Sequence, residues 1–191
     1  MDNGYEVTIA SPKGGKPPVD PKSLQKENQT KATERFQNDK SAMEKLDNTM
    51  VLAQVSSNEY DTLFLPGGHG PMWDLSEDEN MKKIVEDFYN NKKIITAVSH
   101  GPAGLLQAKD QNGNSILSDK KVTGFANGEE KSVKLDQVVP FLLENRLKEL
   151  GCSFEKSEDF KPFVVSDGQI ITGQNPASAL LAAQKVIQIM K

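Results

Sequence analysis

The chain has 191 residues, 36% hydrophobic and 26% charged, which suits a single domain over residues 1–191 with a buried core and leaves no apolar run near the roughly 20 residues of a membrane helix. A formal net charge of −4 supplies no basic face, so neither nucleic acid nor membrane is expected as a partner. The single cysteine, Cys152, excludes an internal disulfide, and Met1-Asp2-Asn3-Gly4 has no basic flank or apolar leader, so a cytoplasmic protein is the plain expectation.

In chain order, residues 4–10 (GYEVTIA) alternate and are rich in β-formers, which predicts a strand. Residues 11–21 carry four prolines and two glycines and read as a loop. Residues 30–47 are polar, with Phe36, Met43 and Leu46 sparsely spaced, and read as one or two surface helices. Residues 61–65 (DTLFL) predict a buried strand that runs into the turn Pro66-Gly67-Gly68-His69-Gly70-Pro71. Ser76 with Glu79 three residues on is a capping-box pattern, and Met81, Ile84, Val85 and Phe88 then fall on one helical face. A strand over 93–98 leads into Ser99-His100-Gly101-Pro102 and a helix over 101–108. Another strand is expected in 118–125 and a helix over 129–138. Pro140 is expected in the first turn of a helix bearing Leu142, Leu143, Leu147 and Leu150, closed by Gly151. Residues 163–172 (FVVSDGQIIT) read as a hairpin about Asp167-Gly168, and Asn175 as the cap of the last helix, with Pro176 in its first turn.

Strands alternating with helices imply an α/β sandwich around a mostly parallel sheet, where ligands gather beyond the carboxyl ends of the strands. Two features lie at such ends: the glycine-rich turn after Leu65 and the serine after Val98. Ala97-Val98-Ser99-His100-Gly101 fits a nucleophile elbow, which needs small residues two before and two after the nucleophile because the tight turn crowds backbone against its neighbours. A helix-capping serine would fit the same residues. Gly67-Gly68 suits one half of an oxyanion hole, since no Cβ obstructs the approach of their amides, and the His100 amide suits the other half. His69 either reaches the pocket or satisfies the turn. Trp73 packs beside the loop or lines the pocket mouth. Only two histidines exist, no HExxH motif is present, and no carboxylate/histidine cluster has metal spacing, so no metal or cofactor is expected. Cys152 reads as a small core residue.

The segments LFLPGGHGPMWDL, AVSHGPAGLL, VTGFANGEE and GQIITGQNPAS, in that order over nearly the whole chain, closely resemble the ThiJ/PfpI superfamily, within it the branch of heat-inducible chaperones and glutathione-independent glyoxalases. The resemblance implies a flavodoxin-like three-layer sandwich of the class I glutamine amidotransferase type, usually dimeric. It implies action on small reactive aldehydes such as methylglyoxal or their protein adducts, with a holdase role toward unfolded clients or a weak serine hydrolase or peptidase as alternatives. Position by position it implies Ser99 at the nucleophile site, His100 beside it and Glu130 as the acid, with Glu129 the near alternative; Gly67, Gly68, His69 and Trp73 would surround the substrate.

Two departures stand out. The family nucleophile is a cysteine, and a serine hydroxyl is far less acidic, so little or no glyoxalase activity is expected. Neighbouring residues on an elbow also diverge, which leaves the aim of His100 open. Family members carry a strand and a helix ahead of GYEVTIA, one of them bearing a glutamate, and this chain begins without them. The expectation is either a shortened, marginally stable, association-prone chain or a gap that a partner covers. Glutamine amidotransfer is disfavoured, because its histidine lies far downstream and no histidine follows His100.

Overall fold

A computed structural model describes residues 3–191, and the chain divides into two compact units, one ending at Val55 and the other running from Ser56 to Lys191. In the first, strand β1 (Ala10–Ser11) pairs in parallel with β2 (Met50–Val51), and helices α1 (Lys31–Asn38) and α2 (Lys40–Asp47) lie between them in the chain. Thr30 caps α1, its hydroxyl accepting from the Thr33 amide, and Asp39 caps α2 through the Ala42 amide. Two helices therefore replace the sparse pattern of 30–47. The strand expected over 4–10 is reduced to its last residue. A strand exists only where a neighbour supplies its ladder, and Met50–Val51 reaches no further back than the bond from the Met50 amide to the Ile9 carbonyl, so Glu6, Val7 and Thr8 remain exposed.

The second unit is an α/β sandwich whose sheet is mostly parallel and flanked by helices, the flavodoxin-like arrangement expected. Its strands are β3 (Thr62–Leu65), β4 (Ile94–Val98), β7 (Val164–Asp167) and β8 (Ile170–Gly173), in the order β3-β4-β8-β7. β3 and β8 both run parallel to β4, and β7 returns antiparallel beside β8 through the hairpin at Gly168, where φ is 60°. A short parallel pair, β5 (Lys121–Val122) with β6 (Ser153–Phe154), lies beside β7. Ile95, Thr96, Ala97 and Val98 are buried on both faces of β4, as a central parallel strand must be.

Helix α3 (Glu79–Asn90) packs on β3 and β4, and buries Met81, Ile84, Val85 and Phe88. Each such side chain contributes about 1.5–3 kcal/mol. Its cap is Asp78, accepting from the Met81 amide at 2.8 Å, and not Ser76, whose hydroxyl instead donates to the Met72 carbonyl from inside a short 3-10 turn. Both side chains are capping types, and the aspartate lies next to the helix. Residues 101–105 form a 3-10 turn instead of the longer helix expected, the strand in 118–125 shrinks to β5, and α4 (Asn127–Ser132) is shorter than 129–138. Pro140 lies ahead of α5 (Leu143–Glu149), which buries Leu143 and Leu147 and is closed by Gly151 at φ 84°. Asn175 and Ser178 exchange hydrogen bonds ahead of α6 (Ala179–Ile189). Among the described residues no helix is long and apolar enough to cross a membrane.

The register fixes where chemistry can occur. Leu65 stands opposite Ala97 and Val98 opposite Gly173, so β3, β4 and β8 end together. The segments leaving them at 66–70, 99–101 and 174–175 share one rim of the sheet.

Candidate active site

At that rim Ser99 adopts φ 60°, a left-handed conformation that costs a non-glycine residue about 1–2 kcal/mol. The fold holds it there from both sides: the Ser99 amide donates to the Gly173 carbonyl at 2.8 Å, and the Phe125 amide donates to the Ser99 carbonyl at 2.9 Å. The crowding that an elbow demands is present. A Cβ on Gly101 would lie 2.5 Å from the Leu65 carbonyl oxygen, and one on Gly67 2.4 Å from that of Val98 and 3.0 Å from the Ser99 Cβ. Gly67, at φ 97°, thus brings the turn after β3 directly against the bend at 99. Gly68 differs: its φ of 80° needs glycine, but open space surrounds its Cβ position.

The His100 ring is turned toward its neighbour. Its Nδ1 lies 3.4 Å from the Ser99 Oγ, longer than a tight hydrogen bond, and its Nε2 lies 2.6 Å from Glu130 Oε2. His69 reaches the same carboxylate, Nε2 to Oε1 at 2.8 Å. Burial pushes the Glu130 carboxyl up, but the hydrogen bonds from His100 and His69 outweigh it and bring the group down to about 2. An ionised carboxylate only accepts, so both Nε2 atoms carry protons. Burial lowers His100 from its ordinary value despite the opposing hydrogen bond to Glu130, which favours the neutral imidazole near pH 7. A neutral ring protonated at Nε2 leaves the Nδ1 lone pair facing the hydroxyl. Ser99, His100 and Glu130 are 3%, 1% and 2% exposed, so these contacts act in a low-dielectric setting.

Adjacent carboxylates have separate tasks. Glu129 is fully buried, accepts from the Ala126 amide through Oε2, and through Oε1 from the Phe160 amide and Asn175 Nδ2, each at 2.8 Å. It ties the start of α4 to two other loops, while Glu130 one residue on faces the imidazoles. Neither is the solvated side chain that a first helical turn usually bears. Phe125 stacks at 4.5 Å on His100, which stacks at 4.0 Å on His69, and Phe160 meets Phe125 edge-on at 6.2 Å. Phe125 and Phe160 were not singled out in the sequence, and Asn175 was read only as a helix cap, although Phe125 and Asn175 lie inside two of its motifs. Trp73 stays outside this stack, half-exposed, its amide closing the turn onto the Gly70 carbonyl. Cys152 is buried away from these groups, and desolvation pushes its thiol up to about 11.

His69, His100 and Glu130, separated by 31 and 30 positions in the sequence and so without a metal-ligand spacing there, bring ligand atoms within 4.8 Å of one another.

Comparison with known proteins gives the family and the fold. The profile of the DJ-1/PfpI family matches residues 1–189. A curated relative, the probable glutathione-independent glyoxalase hsp3103 of Schizosaccharomyces pombe, is 32% identical over 151 residues, 75% of this chain. The matched part spans 58%, 65% and 63% of the length of that protein, of hsp3104 from the same yeast and of glyoxalase 3 from Candida albicans. Among solved structures, the 24 kDa rapid encystment protein of Francisella tularensis superposes with a TM-score of 0.92 at 39% identity, covering 98% of this chain and 83% of that one. Glyoxalase III from Candida albicans gives 0.90 at 26% identity, covering 98% and 81%.

Proposed function

The chain belongs to the DJ-1/PfpI family, and on that premise we propose that it carries a glyoxalase III-type site for small reactive aldehydes such as methylglyoxal, or for their adducts on proteins, with turnover held low by a serine where the family uses a thiol. The observation that carries this reading is the relay at one sheet rim: Ser99 Oγ 3.4 Å from His100 Nδ1, and His100 Nε2 2.6 Å from Glu130 Oε2. Ser99 Oγ bonds to the aldehyde carbon as its proton passes to His100 Nδ1, and Glu130 steadies the imidazolium that forms. Contacts of this kind shorten in the reacting complex, so a 3.4 Å start is compatible with transfer. The oxygen that gains charge is met by the amides of Gly68 and His100. His69 shares the carboxylate and, with 31% of its side chain exposed, is the accessible member of the group.

The weak step follows from the chemistry of the hydroxyl. A thiol near an imidazole ionises readily and adds strongly to aldehydes, whereas an alcohol ionises only as it attacks. Ser99→Cys is therefore expected to raise methylglyoxal consumption at least about tenfold over the parent. A folded Ser99→Cys protein with no gain in turnover would defeat the reading.

The same hydroxyl–imidazole–carboxylate series favours a second reading, slow acyl transfer by a serine hydrolase. p-Nitrophenyl acetate separates the two: this reading requires ester hydrolysis that Ser99→Ala removes.

A further inference from the structure

We propose that His69, His100 and Glu130 form a binding site for one zinc-like divalent transition-metal ion, and that occupancy turns the relay off. The three side chains come from separate segments, the turn after β3, the elbow after β4 and helix α4, yet their ligand atoms all lie within 4.8 Å of one another. Both imidazoles present the same atom to one carboxylate, His69 Nε2 to Oε1 at 2.8 Å and His100 Nε2 to Oε2 at 2.6 Å. Two imidazole nitrogens with one carboxylate oxygen is a donor set that suits zinc and its neighbours better than magnesium or calcium.

Zinc bonds of about 2.0–2.2 Å in a tetrahedral array hold neighbouring ligand atoms roughly 3.3 Å apart, so the two short contacts must open, and separations of up to 4.8 Å must close by as much as about 1.5 Å. His69 is the side chain that can yield, because 31% of it is exposed while those of His100 and Glu130 are almost fully enclosed. The same exposure provides the ion's way in. Phe125, stacked at 4.5 Å on His100, keeps that ring in place.

The proton count gives the consequence. A His100 ring with its one proton on Nε2 must give that proton up when an ion takes Nε2, and the proton passes through solvent to Nδ1. No redox change occurs and the carboxylate is unaltered. In His100, Nδ1 is the atom 3.4 Å from Ser99 Oγ, so the ring then donates toward the hydroxyl instead of accepting its proton. Binding itself is independent of the glyoxalase reading; only the loss of function rests on the base role proposed for His100.

The test uses chelator-treated full-length protein titrated with zinc against a chromophoric chelator, with X-ray absorption reporting the ligands. One equivalent should bind, with two imidazoles and an oxygen in the shell. His69→Ala should weaken it by more than the roughly 10- to 100-fold that a change in an outer-shell partner costs, while the exposed Glu149→Gln leaves it unchanged. Circular dichroism of His69→Ala checks that the fold is intact. No binding, or binding indifferent to His69→Ala, overturns the site and leaves the catalytic reading untouched. Zinc that binds through His69 yet leaves labelling of Ser99 by a fluorophosphonate unaffected overturns the switch and, with it, the base role of His100.

Discussion

Replacing Glu129 by alanine separates two carboxylates that are neighbours in sequence. In the folded protein Glu129 accepts three hydrogen bonds of 2.8 Å, from the amides of Ala126 and Phe160 and from Asn175 Nδ2. Asn175 keeps a second bond, to the Lys161 carbonyl, so its loss is partial. The Ala126 amide has no substitute in its buried site, whereas Phe160 is exposed and its amide can turn to water. At about 1–3 kcal/mol for the orphaned Ala126 donor, with smaller losses at Phe160 and Asn175, Glu129→Ala should cost roughly 2–4 kcal/mol, a large share of the usual 5–15 kcal/mol of a domain. Glu130→Gln keeps the volume beside the histidines but leaves one of the two imidazole donors without an acceptor, so it should lose about 1–3 kcal/mol and lower turnover about 100-fold or more by removing the charged partner of His100. Urea unfolding followed by far-ultraviolet circular dichroism reads the first quantity, and p-nitrophenyl acetate or methylglyoxal turnover the second. A Glu129→Ala midpoint indistinguishable from the parent at unchanged slope would refute the division of labour.

Gly67→Ala forces a Cβ to 2.4 Å from the Val98 carbonyl oxygen at a φ of 97°, so a loss of about 2–4 kcal/mol is expected in the same unfolding assay. Gly68→Ala, which meets no atom, should lose only the roughly 1–2 kcal/mol of its φ. Acid should weaken the metal-free fold in two stages of one sign. The unfolded chain takes a proton on His100 near pH 6.5 that the buried ring resists, and Glu130, ordinarily near 4.5, resists until about 2, so urea midpoints should fall from pH 6.5 downward and keep falling toward pH 2. For Glu130 the depressed value means its stabilisation is complete above 4.5 and lost on descent through about 2; in Glu130→Gln that lower stage should flatten. Turnover should reach its plateau below pH 6.5, because neutral His100 persists to lower pH than a free imidazole. Cys152, raised to about 11, should resist iodoacetamide at pH 8 in the folded protein and react once it is unfolded in urea.

Much of the site was legible because its grammar is local. Ala97-Val98-Ser99-His100-Gly101 announces a tight bend through its small residues, and the apolar run before it can only be a buried strand. The hairpin at Asp167-Gly168 and the buried face Met81, Ile84, Val85 and Phe88 follow from turn chemistry and helical period in the same way. What was not legible depends on partners distant in sequence. His69 and Glu130 are 61 positions apart, so neither their contact nor a shared metal-binding geometry has any spacing signature. Glu129 and Glu130 are the same residue type in one helical turn, and only the presence of Ala126, Phe160 and Asn175 on one side and two imidazoles on the other distinguishes them. GYEVTIA has strand composition, but pairing decides strands, and its alternation finds a ladder only at Ala10–Ser11.

A fluorophosphonate probe tests the central claim most directly, because it reacts with a serine hydroxyl that a base has activated. Peptide mapping by mass spectrometry should place the label on Ser99 in the parent protein. Labelling should slow at least about 100-fold in His100→Ala and in Glu130→Gln at unchanged fold. Label on another residue, or on Ser99 at a rate that ignores both changes, would mean that the imidazole is not serving the hydroxyl.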